Sequence, residues 1–343
     1  MKVKITILSF FFLCFIKAQD IHFSQIHASP IFLNPAMTGV FNEELRLIAN
    51  YRNQWATATA NFNTISASVD GKLFSMGKHA SMNFGVQAFT DAAGDLNYRQ
   101  TNFQVPLAAN LQFGSVKSKN KHLLSFGIQN GFLHQTADLS KIEAFDNEPL
   151  IGSLFSTNRI VYDVSFGAVW TSLFNNKHSF YIGYSQYHLN TPKVNTSSNN
   201  DNDFLHMKFI TIGGAEIMLK SEKYAFLPSY INMIQGPHRE VTVGTFFKQY
   251  VGERRRYEDR NALYYGVWAR WYANKNYNSG FDALIATFRY DHKKLSFAFS
   301  YDFTLSKLTV ANKAQGGAEL SLIYLVDIKT KKRPNKQVYC PKF

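Results

Sequence analysis

Hydrophobic and polar residues alternate along most of this chain. In 295–304, for example, Leu, Phe, Phe, Tyr and Phe are separated by Ser, Ala, Ser, Asp and Thr. The same alternation is present in 45–55, 80–88 and 160–171. Because successive side chains of a β-strand point to opposite faces of the sheet, this period of two predicts strands.

The two faces of each predicted strand differ in chemistry. The apolar face is aromatic and often begins or ends in Tyr or Trp, whereas the opposite face is rich in Gly, Ser, Thr and Asn with isolated charges. A soluble antiparallel sheet also alternates, with its polar face in water. Long segments with aromatic ends and a polar opposite face are nevertheless typical of a transmembrane barrel with a polar interior.

The alternating segments predict an all-β fold, a transmembrane antiparallel β-barrel of about 14 strands with a margin of two. An even number of strands is expected of single-chain bacterial outer-membrane barrels. Longer polar connections lie at 136–158 and 190–205. The predicted strands are 44–55, 62–74, 79–90, 96–113, 121–135, 159–172, 177–189, 206–219, 222–234, 239–251, 262–274, 281–291, 294–305 and 316–328.

The N-terminus has the features of a secretory signal peptide. Lys2 and Lys4 precede an apolar run at 5–16, and Ala18 is a small residue suited to cleavage. A transmembrane helix needs about 17 apolar residues or more, so the run is too short for an uncleaved anchor. We therefore predict that residues 1–18 are a signal peptide and that the protein is exported.

Composition excludes several other classes of protein. The chain is 45% hydrophobic and 15% aromatic but only 18% charged, and its mean hydropathy of −0.20 does not fit a polytopic helical membrane protein. Signal-peptide cleavage would remove three lysines and no acids, lowering the formal net charge from +13 to +10. Cys14 and Cys340 are the two cysteines, which excludes a disulfide scaffold and a four-cysteine zinc site.

Residues 19–43 precede the predicted barrel, which spans 44–328. Their Ser-Pro and Asn-Pro steps favour turns or helix starts, and their apolar side chains need cover from solvent. We predict that this segment is a periplasmic plug, packed in or beneath the periplasmic mouth. The alternative is a disordered leader. The candidate plug residues are Leu33, Asn34 and Pro35.

The last residues, 329–343, form a basic stretch followed by an apolar end. Because an even-stranded barrel has both termini on the periplasmic side, we expect this tail to face the periplasm. It could dock a periplasmic partner, act as an assembly signal through its terminal Phe, or have neither role. The candidate partner-binding residues are Lys329, Lys331, Lys332, Arg333, Tyr339 and Phe343.

Candidate catalytic and metal-binding patterns are weak. The sequence has no HExxH motif and no Gly-x-Ser-x-Gly elbow. Asp91 and Asp95 lie in a short run without the ligand set of an EF-hand, so a turn is the simpler interpretation. Arg254–Arg256 could bind acidic groups of lipopolysaccharide or be a solvated loop, and export argues against nucleic acid as a partner. We predict no catalytic, metal-binding or cofactor-binding residues.

Several short motifs together resemble one family. They are Phe23-Ser24-Gln25, Leu33-Asn34-Pro35-Ala36 with Gly39, the run from Tyr184 to Pro192, Gly266-Val267-Trp268-Ala269-Arg270, Phe299-Ser300-Tyr301-Asp302 with Ser306 and Leu308, Gly317-Ala318-Glu319-Leu320-Ser321, and Cys340-Pro341-Lys342-Phe343. In this order they resemble the PorP/SprF family of outer-membrane proteins, associated with type IX secretion and gliding in Bacteroidetes. Phe299 departs from the Gly expected at that position.

This resemblance implies a non-enzymatic accessory component of the type IX secretion and gliding machinery in a Gram-negative outer membrane. The implied partners are outer-membrane lipid, components of the secretion machine, and cargo proteins that carry a C-terminal sorting domain. The alternative function is an outer-membrane porin or a transporter of hydrophobic solutes. A porin needs an open aqueous lumen, whereas an accessory protein does not.

Overall fold

The computed structural model describes most of the chain between residues 23 and 327. The described ranges are 23–54, 62–77, 79–93, 98–114, 118–136, 158–175, 177–194, 204–252, 261–274, 277–306 and 316–327. The predicted signal peptide, the tail at 329–343 and Arg254–Arg256 lie outside these ranges.

Fourteen strands follow one another along the chain and form one closed sheet. They are β1 (Leu45–Gln54), β2 (Phe62–Met76), β3 (Ala80–Ala93), β4 (Tyr98–Phe113), β5 (Lys121–Thr136), β6 (Asn158–Phe174), β7 (His178–Tyr187), β8 (Lys208–Met218), β9 (Tyr224–Gln235), β10 (His238–Val251), β11 (Asn261–Asn274), β12 (Tyr277–His292), β13 (Leu295–Thr304) and β14 (Gly317–Val326).

Each strand pairs antiparallel with its neighbour in sequence, and β1 pairs with β14 to close the barrel. The closing pair runs in register from Leu45 opposite Val326 to Gln54 opposite Gly317. The prediction of an antiparallel barrel of about 14 strands is therefore confirmed. The largest boundary error is at β12, which begins at Tyr277 rather than 281. Two register shifts in the β11–β12 pairing lie at this end, and they interrupt the alternation on which the prediction rests.

The predicted division of each strand into two faces is also confirmed. On β13, Phe297, Phe299 and Phe303 are exposed on the outer surface, whereas Ser300 and Asp302 are buried in the interior. The other strands repeat this pattern, so a belt of exposed aliphatic and aromatic side chains surrounds the barrel. Burying such a belt in lipid is favourable, as expected of a transmembrane barrel.

The two ends of the barrel differ in their connections. β1 begins and β14 ends at the same end, here called the near end; the opposite end is the far end. Near-end connections include the two-residue turn between β12 and β13. The longest connections, 137–157 and 188–207, are at the far end.

Residues 23–40, here called the inner segment, precede β1 and fold into short turns. Helix α1 (Pro30–Leu33) begins with a proline at its first position, and 3-10 turns lie at Ile26–Ala28 and Pro35–Met37. Asn34 separates α1 from the second 3-10 turn, and its side-chain oxygen accepts a hydrogen bond from the Ala36 amide at 2.9 Å. Within the described ranges, no helix is both long and apolar enough to cross a bilayer.

Candidate functional site: a segment held inside the barrel

The inner segment lies in the barrel interior. Ala28, Asn34, Ala36 and Thr38 have no solvent-exposed surface, although they precede the first strand. An isolated stretch of turns could not bury these residues by itself. The barrel wall therefore supplies their cover.

The segment extends through the interior from one half of the barrel to the other. Ser24 contacts Asp302 and Glu319, which lie in the far halves of β13 and β14. The Gly39 amide donates to Asp70 at 2.8 Å, near the near end of β2. The segment thus reaches deeper than the mouth at which the chain enters β1.

Ser24 and Gln25 are held by a buried cluster of charges, here called the charged anchor and made of Arg52, Arg270, Asp302 and Glu319. The Ser24 amide donates to Glu319 Oε2 at 2.8 Å, and its hydroxyl donates to Asp302 Oδ2 at 2.6 Å. The Gln25 amide donates to Glu319 Oε1 at 3.1 Å. Both oxygens of one carboxylate therefore receive backbone hydrogen bonds from the inner segment.

The charges of this anchor are paired with one another. Arg52 lies 3.1 Å from Asp302 and 3.4 Å from Glu319, and Arg270 lies 3.1 Å from Asp302. Arg270 also donates from Nε to Asp282 at 2.7 Å. At most 4% of the side-chain surface of Arg52, Asp302 and Glu319 is exposed. Removal of one member would leave a buried charge poorly compensated, which is strongly destabilising.

The same part of the segment bridges the two strands that close the barrel. Asn50 on β1 donates to the Ala28 carbonyl at 3.0 Å. Gln25 donates to the Glu319 carbonyl on β14 at 2.8 Å. Ala28 also packs against Ile48 of β1 and Ile323 of β14. The segment therefore contacts both sides of the closing seam.

The second attachment is a set of glycines on three adjacent strands, here called the glycine cradle: Gly127 on β5, Gly167 on β6 and Gly183 on β7. A Cβ atom at Gly167 would overlap Oδ1 of Asn34, and one at Gly127 would overlap the backbone nitrogen of Ala36. The wall lacks side chains where the segment approaches most closely. Only glycine permits this contact without a shift of the backbone.

Asn34 also forms hydrogen bonds to the wall at the cradle. Its Nδ2 donates to the carbonyl of Ala168 at 3.1 Å and to that of Tyr184 at 3.0 Å. On β7, the Ser185 hydroxyl donates to the Leu33 carbonyl at 2.6 Å, and the Tyr187 hydroxyl donates to the Ile31 carbonyl at 3.1 Å. These bonds satisfy buried backbone groups that water cannot reach.

Apolar contacts complete the cradle side of the interior. Leu33, Ala36 and Met37 belong to one buried cluster with inward side chains of β6 to β9. These partners are Val169, Tyr181, Tyr187, Ile210, Ile212 and Ile231. This half of the barrel thus has an internal hydrophobic core, which a water-filled channel would not need.

The long β7–β8 connection adds cover at the far end. Its Val194 and Leu205 are buried against Leu133, with Val161 packed beside them. At the start of this connection, His188 Nδ1 lies 2.9 Å from Asp163 Oδ1 on the inner face of β6. The described part of the connection therefore folds inward over the far side of the lumen.

Comparison with protein families decides the classification. The family described as type IX secretion system membrane protein PorP/SprF matches residues 15–324. The chain belongs to the PorP/SprF family. The sequence-based recognition is thereby confirmed, and the chain is a type IX secretion system membrane protein by family. Fold and family both fit an outer-membrane location.

Solved barrel structures are similar to this chain at low sequence identity. CymD, a monoaromatic hydrocarbon channel, is 12% identical with a TM-score of 0.46, covering 88% of this chain and 94% of its own. The deltaS2 mutant of the TodX monoaromatic hydrocarbon channel is 8% identical with a TM-score of 0.46, covering 86% and 93%. CdiB from Acinetobacter baumannii is 8% identical with a TM-score of 0.47, covering 82% and 60%. No curated protein matches the chain.

The motifs that carry the PorP/SprF resemblance converge on the inner segment. The motif at 299–302 supplies Ser300 and Asp302, that at 317–321 supplies Glu319 and Ser321, and that at 266–270 supplies Arg270. The run from Tyr184 supplies Ser185 and Tyr187. Residues far apart in the sequence thus contact the same inner segment of this PorP/SprF barrel.

The structure describes only some of the site residues predicted from the sequence. Leu33, Asn34 and Pro35 lie in the interior, buried against β5 to β7. The six candidate partner-binding residues of the tail lie outside the described ranges, and the PorP/SprF match ends before them. The sequence does not identify Arg52 as a site residue, because it shows only a charged residue on the polar face of β1.

Metal-binding geometry is not found in the described ranges, where no group of three or more His, Cys, Asp or Glu residues is placed to hold an ion. Asp91 instead accepts a hydrogen bond from the Thr64 hydroxyl at 2.5 Å. Asp95 lies outside the described residues.

Proposed function

We propose that this chain is a non-enzymatic accessory component of the type IX secretion machinery that supports export or surface attachment of specific cargo proteins. Family membership supports a place in this machinery. The proposal adds that the protein works by contacting cargo or periplasmic components, and that nothing needs to pass through its lumen.

The observation that carries this proposal is the occupied interior. The inner segment is attached at the charged anchor and at the glycine cradle, and on the cradle side it packs into a hydrophobic core. A diffusion porin would instead need an open aqueous lumen. We therefore infer that the segment acts as a plug and that the rival porin function is disfavoured.

We further propose that the near end faces the periplasm. Both termini of the barrel are at this end, and the longest connections are at the other, as in barrels with short periplasmic turns and longer external loops. This orientation would present the tail at 329–343 to periplasmic partners. Lys329, Lys331, Lys332 and Arg333 would orient the tail on an acidic surface, with Tyr339 and Phe343 as anchors.

Conductance in planar bilayers separates the two functions. The account predicts no steady large channels for the wild-type protein. Deletion of residues 19–40 should produce channels if the barrel still folds, because the interior would then be accessible to ions. Steady large channels in the wild-type protein would overturn the proposal in favour of a porin. Affinity purification from envelope membranes should recover components of the secretion machine or cargo with a C-terminal sorting domain.

Deletion of 329–343 tests the tail. The docking proposal predicts a normal heat-modifiable barrel in the outer membrane, with cargo export or surface attachment lost. Failure of the barrel to insert would support the assembly signal instead. Normal folding together with normal export would contradict both roles.

A further inference from the structure

Lysines are concentrated on the near-end connections of the barrel. They are present between β4 and β5, β6 and β7, β8 and β9, and β12 and β13. Those that are exposed include Lys119, Lys220, Lys223 and Lys293, here called the basic collar. Further lysines at this end form ion pairs, Lys177 with Glu222 and Lys294 with Asp327.

Outward aromatic side chains lie at the same end of the barrel as the collar, and Lys223 Nζ is 5.9 Å from the centroid of the Tyr224 ring. Trp170, Phe174 and Phe180 are exposed near the near ends of β6 and β7, and His122 lies against the first two. Tyr224, next to Lys223, stacks on Phe247 with ring centroids 5.4 Å apart. Aromatic rings at this position mark the boundary between hydrocarbon and headgroups in membrane barrels. The connections that carry the collar are short, so we expect its ammonium groups to lie at the height of lipid headgroups.

The distribution of the collar favours lipid over a single protein partner. Its lysines follow strands β4, β8 and β12, which are spread around more than half of the closed sheet. One protein docked on one side would leave the remaining lysines without a counter-charge, whereas a lipid leaflet surrounds the whole barrel. Attraction between basic side chains and anionic headgroups acts over about one Debye length.

We propose that the basic collar binds the phosphate headgroups of anionic phospholipid around the near end. The choice of phospholipid over lipopolysaccharide rests on the periplasmic orientation proposed above. The lipid contact itself is independent of the secretion function, so either can fail without the other.

Competitive lipid retention tests this inference. The wild-type barrel is equilibrated in mixed micelles with equal amounts of phosphatidylglycerol and phosphatidylcholine, purified, and its retained lipids are counted by native mass spectrometry. Phosphatidylglycerol should be enriched, by a factor of about five at each collar lysine at low salt, and each Lys→Gln substitution should remove the enrichment at its own position. The variant K119Q/K220Q/K223Q/K293Q should therefore show none.

The control removes three exposed basic residues of the far end, R99Q/K193Q/R239Q, against four in the collar variant. Arg239 already has a partner in the barrel, because it donates to Asn232 at 3.3 Å. This control should retain the wild-type enrichment. Heat-modifiable migration shows whether each variant is folded. If the fourfold variant does not fold, the wild-type enrichment should still disappear in high salt.

Three results would overturn the proposal. The first is equal retention of the two lipids by the wild-type barrel. The second is an equal loss of enrichment in the far-end control. The third is displacement of phosphatidylglycerol by lipopolysaccharide at lower concentration than by phosphatidylglycerol itself, which would assign the collar to the other leaflet. Retention of an acidic protein in place of lipid would point to a protein-docking surface and would also contradict it.

Discussion

The charged anchor and the glycine cradle hold the same segment by different physical means. At the anchor, Ser24 and Gln25 meet a wall of long charged side chains that reach inward and pair around them. At the cradle, the Asn34 side chain and the Ala36 backbone lie against wall positions that carry no side chain. One contact depends on charge complementarity and the other on shape. The two should therefore respond differently to substitution.

The largest effect is expected at the charged anchor. Arg52→Met should lower the free energy of unfolding by about 3–5 kcal/mol, because Asp302 and Glu319 remain buried with a missing counter-charge. Urea unfolding of the barrel in vesicles, followed by Trp fluorescence, measures this. Arg239→Met, at an exposed arginine of the far end, is the control and should change stability by less than about 0.5 kcal/mol. Equal small effects of both substitutions would contradict the importance of the anchor.

Phe166→Arg tests whether the outward face of the cradle strands contacts lipid. Phe166 precedes Gly167 on β6 and belongs to the outward face. An arginine on the lipid face near the bilayer midplane should cost about 2–4 kcal/mol. Phe166→Leu keeps an apolar side chain and should cost much less. The same unfolding measurement applies, and an Arg variant as stable as the Leu variant would show that this face does not contact lipid.

Gly167→Val probes shape at the cradle. The added side chain would overlap Asn34, so the inner segment or β6 must shift, at a cost of about 1–3 kcal/mol. Limited proteolysis should then cleave residues 23–40 more readily than in the wild-type protein. Gly280→Val is the matched control, because a Cβ there meets nothing within 4 Å. If both variants behave alike, the close approach at the cradle is not required.

Asn34→Ala should have the smallest effect of this series. It removes the oxygen that accepts from the Ala36 amide and the two donor bonds to the wall, with an expected cost of about 1 kcal/mol. Asn34→Ser keeps a side-chain oxygen that can accept from the Ala36 amide and loses the donors to the wall, without burying a charge. An intermediate stability of the Ser variant would separate the local turn from the wall contact; a loss in the Ala variant as large as in Arg52→Met would contradict the proposed ranking.

The barrel itself was predictable from the sequence because a strand that separates lipid from a polar interior must alternate. The strands are regular where every second residue faces lipid, as on β13, and their boundaries were found within a few residues. The error at β12 arises where bulges opposite Tyr272 break the period. Alternation carries no information about which inward residues meet across the lumen.

The candidate site was only partly predictable for that reason. The Pro30 and Pro35 steps and the apolar side chains around them indicated a segment that needs cover. Many of its partners lie more than 100 residues away, as with Asn34 and Ala168 or Ser24 and Glu319. The glycines of the cradle read as ordinary small residues on a polar face, since their importance depends on what approaches them. The motifs of the family resemblance include many of these residues. They do not indicate that the residues meet in the barrel interior.

Thiol accessibility of the inner segment tests the central claim most directly, namely that residues 23–40 occupy the lumen of the folded protein. Ser29 is 7% exposed, and its replacement by Cys changes little volume. In a Cys340→Ser background, the S29C barrel in vesicles should resist maleimide until it is denatured, whereas a K119C barrel should react at once. Modification of S29C as rapid as that of K119C in the folded barrel would contradict the account.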